Sequence, residues 1–264
     1  MRHSGRTRVF ALLGDPVAHS LSPVMQNAAF RVLGLDAVYV PLRCAAGDVA
    51  GLMRALARAG GGGNVTVPHK RQAAASVDRL IDGPEGSCNT FWAEGETLVG
   101  TSTDSAGILG GLAAISAPAS SWLIIGTGGS ARAAVDAAIK AGASVAVRSR
   151  SPERAAALLA GATAAGARSA PIEACEVAIN ATPLGLEEDD PLPLAPSGAI
   201  RFGLDLVYRR GLTAWVRALR AAGCHAADGR EVLVAQGAAA VERWFPGVRA
   251  PTEVMRATVA AALR

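Results

Sequence analysis

The chain has 264 residues, half of them hydrophobic, with 30 glycines and a formal net charge of +4. This apolar content excludes a disordered chain, and the length accommodates two domains of about 100–150 residues each. The positive charge is nearly all arginine, scattered among acids, and aromatics make up only 4%, which excludes a nucleic-acid partner or a base-stacking platform.

In chain order, residues 8–13 (RVFALL) read as a strand that stops at Gly14-Asp15-Pro16. Ser22-Pro23 starts a helix, with Ser22 as its cap and Pro23 in its first turn, running to about Leu33. A strand follows at 37–42, then a helix at 47–59. Gly60 to Gly63 read as a turn, followed by an extended segment at 64–67 and a helix at about 70–77. Residues 86–101 have hairpin character, turning at Gly95. A helical linker near 105 leads to an apolar strand at 121–126 that ends in glycine. Beyond it, helices and strands alternate: a helix from about 129, a strand at 143–150, a helix at 151–162, strands at 175–182 and 199–208, and a helix at 211–223. From about Gln236 the chain reads as helices broken between Trp244 and Pro251.

This alternation predicts an α/β fold in two domains. Residues 1–105 form an N-terminal α/β substrate domain, completed by C-terminal helices at about 237–264. Residues 106–236 form a Rossmann-like domain with a mostly parallel sheet covered on both faces. Cys44, Cys88, Cys175 and Cys224 form no C-x-x-C pair or Cys/His cluster. That excludes a disulfide framework and a metal site, and fits a reducing cytoplasm. The apolar run at 9–13 is too short for a signal sequence or a membrane span, so no membrane partner is expected.

Gly126-Thr127-Gly128-Gly129-Ser130-Ala131 follows a strand and opens a helix. Glycines there permit a tight turn and close approach to a pyrophosphate, and the helix start supplies unpaired N–H groups. The next strand ends Val147-Arg148-Ser149-Arg150-Ser151. An NAD site carries an acid at about this point to take the ribose hydroxyls. Here there are only arginines and hydroxyls, which would welcome a 2′-phosphate on Arg148 or Arg150. The cofactor expected is therefore NADP, the other reading being a solvated strand end.

The first 105 residues carry no second dinucleotide loop and are assigned to a small-molecule substrate. Ser20 and Ser22 place two hydroxyls near a helix start, suited to a carboxylate or to simple capping. His19 reads as a positioning residue. Lys70 and Asp104 could move a proton on an alcohol or ketone oxygen while a hydride transfers. Alone, they could equally be a surface lysine and a capping aspartate.

At this point the motifs resemble the shikimate dehydrogenase family. GDPVAHSLSPVMQNAAF at 14–30 is similar to its G-x-P-x-x-H-S-x-S-P signature, and GNVTVPHK at 63–70 to its G-x-N-V-T-x-P-x-K segment. SCNT at 87–90, TSTDSAG at 101–107, SRSPERA at 149–155, NATPLGL at 180–186, DLVY at 205–208 and EVLVAQGA at 231–238 resemble further family blocks in order. The resemblance spans about residues 8–264. It implies that Ser20 and Ser22 bind the substrate carboxylate, while Thr66, Asn89, Tyr208 and Gln236 line the remainder of the substrate site. It makes Lys70 the principal catalytic residue and Asp104 its partner. Gly126, Thr127, Gly128, Gly129 and Ser130 would hold pyrophosphate. Ser149, Arg150 and Arg154 would surround the 2′-phosphate, with Leu206 and Gly229 at the nicotinamide end. The implied reaction is reversible reduction of 3-dehydroshikimate by NADPH, a step toward aromatic amino acids. The implied assembly is a monomer or homodimer.

Departures from the family pattern are Gln26 for a common His, Ser102 for Asn and Ser105 for Gly. Arg209-Arg210 stands for Asn-Pro, and Gly follows Gln236 instead of Ala. None removes a proposed catalytic group. They leave quinate or an aminoshikimate, with NAD or NADP, as alternative ligands, and a non-catalytic NADP-binding sensor as the non-enzyme alternative.

Overall fold

The structure is a computed structural model that describes residues 4–83 and 86–264. The chain divides into two compact units, one comprising the residues up to Thr103 with Gln236–Ala262, the other Asp104–Ala235 with the last two residues.

The first unit is built on a six-stranded mixed sheet in the order β2-β1-β3-β5-β6-β4. Its strands are β1 (Arg8–Gly14), β2 (Ala37–Arg43), β3 (Gly62–Val65), β4 (Arg79–Leu80), β5 (Thr90–Glu94) and β6 (Thr97–Thr101). β1 pairs in parallel with β2 and β3, whereas β5 runs antiparallel to both β3 and β6. Helices α1 (Ser22–Val32), α2 (Val49–Arg58) and α3 (Lys70–Ser76) connect the strands. On one face Ala11, Leu13, Met53, Val65 and Phe91 form an apolar core. Elsewhere Phe10, Phe30, Tyr39, Trp244 and Phe245 make an aromatic cluster with centroids 4.8–6.4 Å apart. That cluster shows why the end of the chain returns to this unit: without Trp244 and Phe245, Phe10 and Phe30 would face water.

The second unit holds a six-stranded sheet in the order β12-β11-β10-β7-β8-β9, parallel throughout. The strands are β7 (Ser121–Ile125), β8 (Ser144–Arg148), β9 (Arg168–Ser169), β10 (Val177–Asn180), β11 (Phe202–Asp205) and β12 (His225–Ala227). Its helices are α4 (Asp104–Ala114), α5 (Gly129–Ala141), α6 (Pro152–Ala164) and α7 (Ala214–Ala221). α8 (Gly229–Trp244) begins in this unit, and α9 (Thr252–Ala262) lies in the first. Counted along this unit, the strand order is 3-2-1-4-5-6, the doubly wound dinucleotide-binding order, whose switch point lies between β7 and β10. Alanine explains the close fit of α5: Ala131, Ala133, Ala134, Ala137 and Ala138 are all buried against the sheet. The crossover from β10 to β11 carries no helix.

Several sequence expectations need correction. Ser22 is not the cap of α1. Leu21 holds that position without a side-chain bond, and Ser20 Oγ accepts from the Ser22 N–H at 3.2 Å. The glycine run is not all turn, because β3 starts at Gly62 and ends at Val65, before the end of the predicted extended segment. The glycines are there for want of room. A Cβ on Gly62 would lie 2.4 Å from the Phe91 carbonyl oxygen, and one on Gly63 2.2 Å from that of Ala11. α8 begins at Gly229, seven residues before Gln236, and β4, β9 and β12 are too short to show a period.

Gly63→Ala should therefore cost roughly 2–3 kcal/mol through overpacking against backbone. Gly51→Ala, in open space on α2, should be neutral or stabilising by up to about 1 kcal/mol. Thermal melts of the two variants check both; equal effects would contradict the packing account.

Candidate functional site

In each unit, parallel strands deliver several of the predicted site residues from their carboxyl ends. In the first unit, β1 ends at Gly14 and delivers the loop to Ser20 and Ser22, while β3 ends at Val65 and delivers Thr66 to Lys70. Gly14 is what lets these loops meet: a Cβ there would lie 2.4 Å from the Thr66 methyl group. The Thr66 N–H donates to Leu13 O at 2.8 Å, and that of Asp15 to Val67 O at 3.2 Å. Lys70 opens α3 directly after buried His69, whose Nε2 donates to the Cys44 carbonyl at 2.9 Å. The Lys70 carbonyl accepts from Cys88 N–H at 3.1 Å. Lys70 is thus fixed through its backbone from both sides.

Asn89 sits on a buried polar network. Its Oδ1 accepts from Thr90 Oγ1 and Thr103 N at 2.8 Å each, and from Thr103 Oγ1 at 3.2 Å. Asn64 Nδ2 donates to Asn89 O (3.0 Å) and Thr90 Oγ1 (2.9 Å), and Asn64 Oδ1 accepts from the buried Tyr39 hydroxyl at 2.8 Å. Burial pushes the Tyr39 hydroxyl far above the usual phenol range, so it stays a donor. Three donors on Oδ1 fix the orientation of the Asn89 amide against a flip. Gln236 lies on α8, and Gln26 Nε2 donates to the carbonyl of the next residue, Gly237, at 3.1 Å. A Cβ at 237 would meet the Met25 side chain at 2.3 Å and Gln26 Nε2 at 3.1 Å. Two departures from the family pattern, Gln26 and Gly237, are therefore one packing arrangement.

In the second unit, β7 runs into Gly126, whose φ of +116° and whose approach to Ala181 O (2.8 Å from an added Cβ) both require glycine. A Cβ on Gly128 or Gly129 would touch nothing, and Gly128, Gly129 and Ser130 are exposed. Thr127 is half-buried beside them. Gly128 caps the 13-residue helix α5 without a side chain on its N–H groups. An open loop at a helix start fits a pyrophosphate. At the end of β8, Arg148 and Arg150 are exposed, as is Arg154 in the first turn of α6. None of these three is ion-paired among the described residues. Ser149 Oγ accepts from Ser151 N–H at 3.2 Å and Ser151 Oγ caps Arg154 N–H at 3.3 Å, which fixes the backbone that carries them. These donors fit a 2′-phosphate.

Asp104 opens α4. Leu206 and Gly229 join a second network that sequence reasoning missed, and Tyr208 follows it in the chain. Asp205 is fully buried. Its Oδ1 accepts from Asn180 Nδ2 (2.8 Å) and Val207 N–H (3.1 Å), and its Oδ2 from Thr213 Oγ1 (2.7 Å). A Cβ at Gly229 would lie 2.4 Å from Leu206 O. Asp205 and Asn180 each end an apolar strand, and a polar residue at that place was the available signal. Arg209, beside Tyr208, pairs with Glu188 at 2.5 Å.

Comparison with known proteins follows this geometry. The family model described as the shikimate dehydrogenase substrate binding domain matches residues 12–90, and the shikimate 5′-dehydrogenase C-terminal domain matches residues 229–260. The NADP(+) shikimate dehydrogenase of Rubrobacter xylanophilus is 38% identical over 92% of this chain and 92% of its own length. That of Geobacter sulfurreducens is 35% identical over 100% of this chain and 99% of its own. The chain belongs to the shikimate dehydrogenase family. The solved shikimate 5-dehydrogenase of Thermus thermophilus, in complex with NADP(H) and shikimate, superposes with a TM-score of 0.85 at 34% identity, covering 96% of this chain and 99% of that one. The first family model contains Ser20, Ser22, Thr66, Lys70 and Asn89; the second begins at Gly229 and contains Gln236.

Burial raises the Asp205 carboxyl to about 6, against the bonds from Thr213, Val207 and Asn180, while Asp228 raises it further. In the unfolded chain it titrates near 3.9. Between these values the folded form holds the extra proton, so this group's contribution to stability is lost as pH rises from about 4 to about 6. Melts across that range should show wild type falling relative to Asp205→Asn; a pH-independent difference would contradict the assignment.

Proposed function

We propose that the chain catalyses the reversible oxidation of shikimate to 3-dehydroshikimate with NADP as cofactor. The observation that carries this reading is the end-to-end likeness to relatives named for that activity. The arginine-lined, acid-free end of β8 supports the phosphorylated cofactor.

The first unit is the substrate unit. Ser20 and Ser22 hold the carboxylate, and Thr66, Asn89 and Gln236 orient the ring hydroxyls. Asn89 does so as a donor, because its acceptor side is filled. The second unit is the NADP unit. Gly126 to Ser130 take the pyrophosphate, Ser149, Arg150 and Arg154 the 2′-phosphate, and Leu206 and Gly229 the nicotinamide end. Bound there, NADP would supply the acceptor for the hydride that leaves the carbinol carbon. Lys70 takes the hydroxyl proton in the oxidative direction and returns it in the reductive one, with Asp104 holding the ammonium and the substrate hydroxyl in place. The four free cysteines suit a reducing cytoplasm, where the chain acts as a monomer or homodimer.

Purified protein should form NADPH from shikimate and NADP, and Lys70→Met should lower kcat by about 10²–10⁴-fold with a melting temperature near wild type. Faster turnover of quinate, or of NAD, would move the chain to a sister activity. Undiminished turnover by Lys70→Met would remove the proton-transfer role.

A further inference from the structure

Three segments of the second unit converge on one buried carboxylate. Asp205 receives the Asn180 amide from the end of β10, the Val207 N–H from its own turn and the Thr213 hydroxyl from the cap of α7. Asn180 passes the constraint on. Its Oδ1 accepts from Thr182 N–H (3.1 Å) and Thr182 Oγ1 (2.6 Å), and its Nδ2 also donates to Leu184 O at 2.9 Å. Leu206 N–H donates to Asn180 O, and Gly229 N–H to Val207 O, both at 3.0 Å. The backbone at 180–184, at 206–208 and at 229 therefore cannot shift separately. Water does not reach Asp205, so no solvent molecule can replace a lost partner, and each orphaned donor would carry its full desolvation cost.

We propose that Asp205 is a positioning residue for hydride transfer, its buried carboxylate locking residues 180–184, 206–208 and 229 into one rigid floor under the nicotinamide end of the cofactor. This rests on the assignment of Leu206 and Gly229 to that end. The carboxylate touches neither substrate nor cofactor. It acts through the backbone it holds, and a displacement of about 1 Å in such a floor is enough to lower a hydride-transfer rate by up to ~10²-fold.

Two substitutions separate positioning from mere bulk. In Asp205→Asn the remaining oxygen still accepts from Asn180 and Val207, and the new amide faces Thr213, whose hydroxyl turns to accept. Asp205→Ala removes every acceptor. Turnover with shikimate and NADP is measured beside amide hydrogen exchange of 180–184 and 206–208, with the β7 and β8 amides as internal reference. Asp205→Asn should stay within about threefold of wild type in both readouts. Asp205→Ala should lose roughly 10–100-fold in kcat with the KM for shikimate little changed, and the same segments should exchange at least about tenfold faster while β7 and β8 hold. Added NADP should slow exchange at 206–208 in wild type and Asp205→Asn but not in Asp205→Ala. If Asp205→Ala does not fold, Thr213→Val, which removes one donor, should show the same pattern at smaller amplitude. Wild-type exchange at 206–208 in the Ala variant overturns the proposal, as does unchanged kcat despite faster exchange, or NADP protection absent from 206–208 in wild type. A wild type that binds NADP there without oxidising shikimate would instead overturn the proposed substrate and leave Asp205 its role.

Discussion

Where a parallel strand ends inside a protein, its last carbonyl and amide groups lose their neighbours and water cannot replace them, so side chains must supply the partners. In the first unit Asn89, buried beside the end of β3, ties Thr90 and Thr103 to itself. In the second, Asp205 at the end of β11 ties Asn180, Val207 and Thr213. Of the residues proposed to face a ligand, Asn89 is itself one of these groups, and Leu206 and Tyr208 follow Asp205 in the chain. Only a buried polar group with its acceptors filled is rigid enough for this, and a half-filled one would cost more stability than an apolar residue in its place.

Glycine is the complementary constraint. At Gly14, Gly126 and Gly229 a methyl group would collide with Thr66, Ala181 or Leu206. Each lies where two loops must approach within backbone distance, at the end of β1, at the end of β7 and at the start of α8. In the loop between β7 and α5, Gly128 and Gly129 are open on their outer side, where the pyrophosphate is proposed to lie. The same residue type thus serves packing on one side of the loop and ligand access on the other.

The alternation of apolar runs and helical stretches made the second sheet legible, because buried parallel strands read as continuous apolar segments. The helix-free crossover after β10 and the two-residue strands β4 and β9 were not legible, since neither has enough residues to show a period. β3 was misread because Gly62 and Gly63 signal a turn locally, while the reason they stand there, the Phe91 and Ala11 carbonyls, is distant in sequence. The site was legible as motifs. Of its supports, Asn64 was legible only as part of a motif and Tyr39 and Thr213 not at all, because a hydrogen-bond network joins residues whose spacing carries no pattern.

The account places both ligands at the carboxyl ends of the strands and none at the opposite ends, where two open grooves also lie. One of these, of about 430 Å³, is lined by Arg8, Arg58, Trp92 and Trp244, and the other, of about 370 Å³, by Arg201, Cys224 and His225. A crystal structure of the protein grown with NADP and shikimate decides between the two ends most directly. It should show the pyrophosphate on the amides of residues 128–130, the 2′-phosphate at Arg150 and Arg154, and the shikimate carboxylate at Ser20 and Ser22. Ligand density in either opposite groove, with those loops bare, would contradict the account.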